Sequence, residues 1–424
     1  MLASDSASMK SVDQRQRQKN NFMAFVIAAA LCAVTFWILT KAKIVGAAAR
    51  APAMMLAAGA GASLIYRVSG GPFMPSEWVA AGADVLLAAL AFAAACQFRV
   101  SRLASVCPAS FRLTIGGAPL FLIVCGLAAF ILVPQLPLSA AMLLAGALTL
   151  NGAAFDRRAV TDAPAHATIK AAVRLESAAI LALGLPVAIL LEASASAAPQ
   201  GMPLVTPLFE ASRGLLIGFA LGGSLGLAAA IYGNRFNTAQ KTGFLPILAG
   251  AAAFLLAPIL GAHPVIAAAA AGLLWGEQSN SLVTTRVRLR RLIEHNVAPI
   301  AYFAFGVLLA PRILQADLLS IVFALAAVTV MRAGPRLVSL KKTTLPKESQ
   351  MFLAWFGGAP GAASALFLIS LFDAASIVAQ DAVLTVGALA IAFGVIAARL
   401  TARPLVKTFL KETAVAKKRA LFAG

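Results

Sequence analysis

The chain has 424 residues, of which 61 % are hydrophobic and only 12 % are charged, and its mean hydropathy is +0.88. A soluble domain carries about a quarter charged residues and cannot bury this much apolar surface, so a soluble protein is excluded, as is disorder outside the tails. Long apolar blocks also exclude a transmembrane β-barrel, whose strands alternate. The four cysteines (Cys32, Cys96, Cys107 and Cys125) lack paired C-x-x-C spacing, so neither a metal site nor a disulfide framework is expected.

Apolar blocks of about 17–25 residues, the length that crosses a bilayer as a helix, recur along the whole chain. They predict thirteen membrane-spanning helices, at 22–40, 51–66, 78–97, 113–133, 138–155, 169–192, 209–233, 243–261, 264–280, 298–312, 318–339, 351–371 and 380–400. We expect an N-terminal tail (1–21), a transmembrane domain (22–405) and a basic C-terminal tail (406–424). The first block lacks a clean cleavage site and is interpreted as a retained helix, with a signal peptide as the alternative.

The net charge of +19 is distributed unevenly between the two sides of the predicted bundle. Basic residues within six positions of a span end are counted with the adjoining loop. On this count, 27 of the 35 lie in loops after odd-numbered spans or in the C-terminal tail. Only 7 lie in the N-terminal tail or in loops after even-numbered spans. The positive-inside rule then predicts an N-terminus outside and a cytoplasmic C-terminus, although the basic N-terminal tail opposes this. We expect the protein to lie in a bacterial inner membrane. The segment 286–291 is interpreted as a basic stretch at the lipid headgroups or a solvated loop, and no nucleic-acid partner is expected.

Ionisable residues inside a span are costly and indicate a functional site. Glu176 lies about seven residues into the sixth span, roughly 10 Å deep at 1.5 Å per residue. Arg332 lies about as far from the same membrane face in the eleventh span, so we predict an ion pair between them. Such a pair either serves transport or only orders the bundle. Asp84, in the third span, is nearer the outer end and can reach the surface.

Turn-type residues interrupt the fifth span at Asn151-Gly152 and the twelfth at Gly357-Gly358-Ala359-Pro360-Gly361. Glycine relaxes the backbone and proline lacks an amide hydrogen, so both segments can unwind. Unwound backbone at membrane depth requires protein or a water-filled cavity to satisfy it. The two spans run in opposite directions, seven apart, which is typical of inverted repeats around a midplane ion site. A packing kink is the alternative for either break alone, and spacings such as Gly222/Gly226 predict close helix packing.

Six segments of the sequence are more informative through their common order and spacing than any one of them is alone. They are Leu150-Asn151-Gly152, Arg174-Leu-Glu-Ser177, the glycine-rich segment 261–276, Phe303-Ala-Phe-Gly306, Arg332, and the segment 353–364 around Trp355 and Gly357. Along most of the chain they resemble the monovalent cation:proton antiporter superfamily, specifically its sodium/proton exchanger branch. The resemblance implies an all-α fold with inverted repeats and two interrupted helices. It also implies a homodimer that exchanges monovalent cations for protons across the lipid bilayer without a cofactor.

Three departures from the family pattern bear on the site. The family's Thr-Asp is Leu150-Asn151 here, its Asn-Asp is Ile180-Leu181, and the arginine of its twelfth helix is replaced within Ala359-Pro360. What the resemblance still implies is a cation- and proton-binding set of Glu176, Ser177 and Asn151, a structural Arg332, and unwound backbone at Gly152, Gly357, Gly358, Pro360 and Gly361. One carboxylate, a hydroxyl, an amide and free carbonyls suit a hard cation. Because only the carboxylate titrates, we expect one-for-one exchange that is insensitive to voltage.

Three functions remain open from the sequence. The first is a secondary transporter that exchanges Na⁺ or K⁺ for protons through Glu176. The second is a divergent homologue that keeps the scaffold without coupled antiport, as a regulatory protein or with another substrate, and the lost aspartates favour it. The third is a membrane enzyme, which is disfavoured because His166, His263 and His295 are scattered over three loops.

Overall fold

The computed structural model describes residues 52–68, 76–97, 99–101, 107–150, 167–197, 203–235, 244–279, 283–341, 343, 345–358, 360–373, 377–398 and 400–401. Its helices are α1 Pro52–Val68, α2 Ser76–Ala95, α3 Pro108–Leu132, α4 Leu138–Thr149, α5 Ala167–Ala197, α6 Val205–Arg235, α7 Phe244–Leu256, α8 Pro264–Gln278, α9 Val283–Ile313, α10 Leu318–Val328, α11 Val330–Leu340, α12 Lys347–Phe356, α13 Ala362–Ser370 and α14 Gln380–Ala398. These ranges contain no strand. The predicted all-α polytopic class is confirmed.

Seven stretches of the described chain are long and apolar enough to cross a membrane: α2, α3, α5, α6, α9, the pair α10–α11, and α14. Helices α4 and α7 are apolar but shorter. Every predicted span except the first coincides with a helix or a broken helix pair. The first span and the two tails, 1–21 and 406–424, lie outside the described residues.

Helix α9 begins well before the predicted span at 298–312. The basic stretch at 286–291, interpreted above as a headgroup or loop segment, is therefore helical. Arg286 and Arg290, four residues and one turn apart, face inward and are 5 % and 2 % exposed, while Arg288 and Arg291 face outward. A helix sorts side chains by face, so half of these charges are buried in the protein.

The eleventh span is broken at Thr329, a break that the sequence did not predict. The Thr329 amide donates to the carbonyl of Ala326 at 3.3 Å, and its hydroxyl donates to the carbonyl of Leu325 at 2.6 Å. The hydroxyl thus binds the carbonyl that the amide would bind in a continuous helix. The chain resumes as α11, which carries both Arg332 and Arg336.

Small residues bring helix backbones together, as predicted for Gly222 and Gly226. A Cβ on either would collide with the carbonyl of Ala267 or Ala271 in α8. Close backbone approach of this kind is how membrane helices pack without a hydrophobic driving force between them.

The most deeply buried elements are α4 and α13. Residues 362–369 of α13 are all buried, as are residues 143–149 of α4. Both helices end or begin at an interruption, so the two interruptions lie in the centre of the bundle rather than at its surface.

Candidate ion-binding site

The two interrupted spans meet in the core. Helix α4 ends at Thr149, and Leu150 is extended, with φ −62° and ψ 109°. The other interrupted span, the twelfth, stops at Phe356 and resumes at Ala362. The hydroxyl of Ser364 donates to the carbonyl of Leu150, a carbonyl freed by the helix ending. Asn151 and Gly152, the other predicted residues of the first break, lie outside the described residues.

Glu176 is fully buried in α5, with 0 % exposure, and its partner is Arg336 in α11. The Nη2 of Arg336 donates to Oε2 of Glu176 at 2.8 Å, and Nη1 pairs with Oε1. This two-point contact suits a planar guanidinium and a carboxylate. The predicted ion pair between Glu176 and Arg332 is therefore wrong by one helical turn. Depth counted from predicted span ends is accurate only to a few residues, so it does not choose between two arginines about 6 Å apart on one helix face.

Gly357 and Gly358 leave the space that the Arg336 guanidinium occupies. A Cβ on Gly357 would collide with Nη2 of Arg336 and lie 2.5 Å from Oε2 of Glu176. A Cβ on Gly358 would collide with Nη1 of the same arginine, and Gly358 also has a φ of +64°. The unwound segment is thus shaped around the ion pair, and only glycine fits at both positions.

Arg332 lies one turn from Arg336 and binds a different group. Its Nη2 donates to the carbonyl of Trp355 at 2.7 Å, and its guanidinium lies 5.6 Å from the centroid of the Trp355 ring. The Nη2 of Arg336 likewise donates to the carbonyl of Leu353 at 2.9 Å. Both carbonyls are in the last turn of α12, where the helix stops supplying amide donors. The Leu353 carbonyl also accepts the Gly357 amide at 3.0 Å, so Arg336 shares this acceptor with the backbone. Two cations at this negative helix end are electrostatically favourable.

Ser177, the second predicted ligand, faces another arginine. The Nη2 of Arg290 donates to its Oγ at 3.3 Å, so the hydroxyl lies between α5 and α9. Pro360 and Gly361 are buried at the break, and the amide of Gly361 donates to Ser364 Oγ at 3.3 Å.

The positions where the family carries Asn-Asp are apolar here. Ile180 and Leu181 are 3 % and 2 % exposed, and Leu181 belongs to the main hydrophobic core. Asp84 is partly exposed in α2, and in the part of the chain that the structure describes no hydrogen bond or ion pair joins it to Glu176. Nor do the described residues include a cluster of three metal-binding side chains.

Residues 26–408 match the sequence profile of the family described as sodium/hydrogen exchanger, transmembrane. The chain belongs to this family. A comparison with curated protein sequences finds no significant match.

Among solved structures, the sodium proton antiporter MjNhaP1 from Methanocaldococcus jannaschii at pH 8 is similar, with a TM-score of 0.70 and 15 % identity over 92 % of this chain and 99 % of that one. A second structure of the same antiporter, from an electron microscopy map, gives a TM-score of 0.58 and 16 % identity over 91 % and 96 %. At this identity the likeness establishes the fold, which is that of the family.

Sequence reasoning missed Arg336 and Arg290 as residues of this site. Both stand within six positions of a predicted span end or in a predicted loop, where basic residues are ordinarily solvated. The available signal was the spacing: Arg332 and Arg336 are four apart, as are Arg286 and Arg290, and each pair shares a helix face.

Proposed function

We propose that this membrane protein exchanges a monovalent cation, Na⁺ or K⁺, for protons, with Glu176 binding the proton and the cation in turn. The observation that carries the proposal is a fully buried carboxylate on a membrane-spanning helix, in contact with unwound backbone, in a member of the sodium/hydrogen exchanger family. An ionisable group at this depth is a strong functional indicator.

The ion pair with Arg336 sets the mechanism. A carboxylate that is held by a guanidinium at two points is neutralised, and a cation or a proton must compete with Arg336 for its oxygens. Either competitor weakens the pair, so only one of the three binds Glu176 fully at a time. Binding one ion to one carboxylate per cycle gives one-for-one exchange.

The oxygens for a cation come from several elements. Besides Glu176, the interruptions supply the carbonyls of Leu150 and Trp355, and we propose that Asn151 and Ser177 add an amide and a hydroxyl oxygen. Hard cations favour oxygen ligands of these kinds. Ser177 must first leave Arg290, and the two carbonyls must first lose the hydrogen bonds they accept here.

The direct test is purified protein in liposomes that contain a pH dye, challenged with Na⁺, K⁺ and Li⁺ in turn. A cation gradient should drive a proton flux of the opposite direction for Na⁺ or K⁺. Empty liposomes measure the passive proton leak, and liposomes with an ionophore give the full response of the dye.

A second candidate is an antiporter-fold protein without coupled antiport. The burial of Ile180 and Leu181 in apolar surroundings favours it, since no second carboxylate stands at those positions. This candidate predicts no cation-driven proton flux with any alkali cation in protein that is folded and dimeric.

We further propose a homodimer in the bacterial inner membrane, with the N-terminus outside and the C-terminus cytoplasmic. The distribution of basic residues supports the orientation. A reporter fused after Gly424 should be active only if it reports a cytoplasmic location, and cross-linking in native membranes should trap a dimer.

A further inference from the structure

Arg290 in α9 is a buried guanidinium that the proposed exchange does not use. Its Nη1 donates to Oε1 of Gln97 at 2.6 Å and to the carbonyl of Arg174 at 3.0 Å, while Nη2 donates to Oγ of Ser177. Its Nε pairs with Glu294 one turn along α9. One side chain therefore joins α5 and α9 to the turn that follows α2.

The position of these contacts along α5 is informative. Arg174 precedes Glu176 by two residues and Ser177 follows it by one, so Arg290 lies against the turn of α5 that carries the candidate carboxylate. Helix α2 ends, and α5 and α9 begin, near these contacts. We call the membrane face at these helix ends the basic face, because the arginines of 286–291 lie there. Arg290 covers this turn of α5 at Ser177, on the side that faces α9.

A residue in this place restricts access. A cation that approaches this turn of α5 along α9 meets a buried guanidinium that four acceptors, one of them the Glu294 carboxylate, hold in position. Charge-assisted hydrogen bonds are about twice as strong as neutral ones, and Arg is pre-organised to make several at once. Transporters of this architecture must close one side while the other is open.

We propose that Arg290 is the gate residue of the basic face, and that opening requires its guanidinium to leave Ser177 and Gln97. The proposal rests on the proposed exchange for its purpose, but its test requires no transport. Removing Arg290 should open the route to Ser177 from the basic face alone.

The reporter is a cysteine in place of Ser177, whose side chain is 4 % exposed, in protein with the native cysteines changed to alanine. A membrane-impermeant methanethiosulfonate reagent is applied to one face of oriented liposomes at a time. Adding Arg290→Gln should raise the labelling rate from the basic face by roughly tenfold, the factor that a charge-assisted hydrogen bond is worth. The matched control is Arg288→Gln, an exposed arginine two residues away, which should leave the rate unchanged.

Two further variants keep the test decisive. Arg290→Lys retains the charge but loses the planar fork, so an intermediate rate is expected. If Arg290→Gln fails to fold, Gln97→Ala removes one acceptor and should raise the rate by a few-fold. Equal rates in folded Arg290→Gln and Arg288→Gln protein, or a rise from both faces, would overturn the gate. If the labelling rate rises from the basic face alone, in protein that shows no cation-driven proton flux, the result would support the gate and reject the exchange.

Discussion

Arg336 and Glu176 make a two-point contact across the α5–α11 interface, with Nη2 and Oε2 2.8 Å apart and both side chains almost wholly buried. Each charge is costly to bury alone, and each is tolerable only because of the other. The glycines at 357 and 358, the end of α12 and the carboxylate of α5 are all arranged around this one guanidinium. The integrity of the pair is therefore the first property to test.

Removing one partner of this pair should destabilise the protein more than removing both. Arg336→Met leaves Glu176 buried and unpaired, at a cost of about 3–5 kcal/mol, whereas Arg336→Met with Glu176→Gln leaves no unpaired charge. Thermal unfolding in detergent should show the double variant to be more stable than Arg336→Met alone.

The same comparison of single and double variants, with Arg332 in place of Arg336, is a double-mutant cycle that provides the control. Arg332 binds the Trp355 carbonyl rather than the carboxylate, so Arg332→Met and Glu176→Gln should couple less strongly than Arg336→Met and Glu176→Gln. Additive losses for the Arg336 cycle and coupled losses for the Arg332 cycle would show that the pairing is the other way round.

Alanine at Gly357 or Gly358 should displace the guanidinium. The new Cβ overlaps Arg336 in both cases, and Gly358 carries the added strain of a positive φ. Overpacking of this kind costs about 1–3 kcal/mol. Gly334→Ala is the matched control in α11, because its Cβ meets nothing within 4 Å, and it should be neutral or stabilising by up to about 1 kcal/mol. Equal melting temperatures for the three variants would show that the glycines do not shape the pair.

Much of the fold follows from the sequence because bilayer thickness sets the length of an apolar helix. The predicted spans at 78–97 and 380–400 fall on α2 and α14, where nothing interrupts the apolar run. The break at Thr329 was not predicted, because a threonine within an apolar run gives no turn signal and acts only through a local hydroxyl bond.

The site was predicted less completely than the fold. Glu176 was identified because a carboxylate deep in an apolar span is conspicuous, and the glycine-rich break at 357–361 because glycine and proline mark irregular backbone. The pairing of Glu176 with Arg336 rather than Arg332 depends on the position of α11 along its axis relative to α5, because the two arginines share a helix face and lie about 6 Å apart along it. That axial position is set by packing against several other helices, which no local pattern encodes.

Asp317 caps α10 outside the membrane-spanning segment, and it predicts a pH dependence. Its carboxylate accepts a hydrogen bond from the Ser320 amide at 3.1 Å, and hydrogen bonding by Ser320 lowers the pKa of Asp317 below its ordinary value. A lowered pKa stabilises the fold above the unfolded-state pKa of about 3.9, and this contribution is lost as the pH falls through the folded-state value.

Two substitutions separate the cap from the charge. Asp317→Ala should cost about 1 kcal/mol at neutral pH, whereas Asp317→Asn keeps the acceptor and should cost less. Melting temperatures between pH 6 and pH 3 should then show wild-type stability approaching that of Asp317→Ala as the pH falls. A constant difference across this range would contradict the assigned hydrogen bond.

The central claim is that Glu176 exchanges one cation for one proton. The measurement that tests it most directly is dye-reported proton flux in liposomes, with the membrane potential clamped at zero and then near −100 mV. We predict cation-driven flux of the same size at both potentials, its loss in Glu176→Gln, and its retention in Glu210→Gln, which changes an exposed carboxylate. A net charge moved per cycle would add about 2.3 kcal/mol per 100 mV. A flux that shifts strongly with potential, or that persists in Glu176→Gln, would contradict the account.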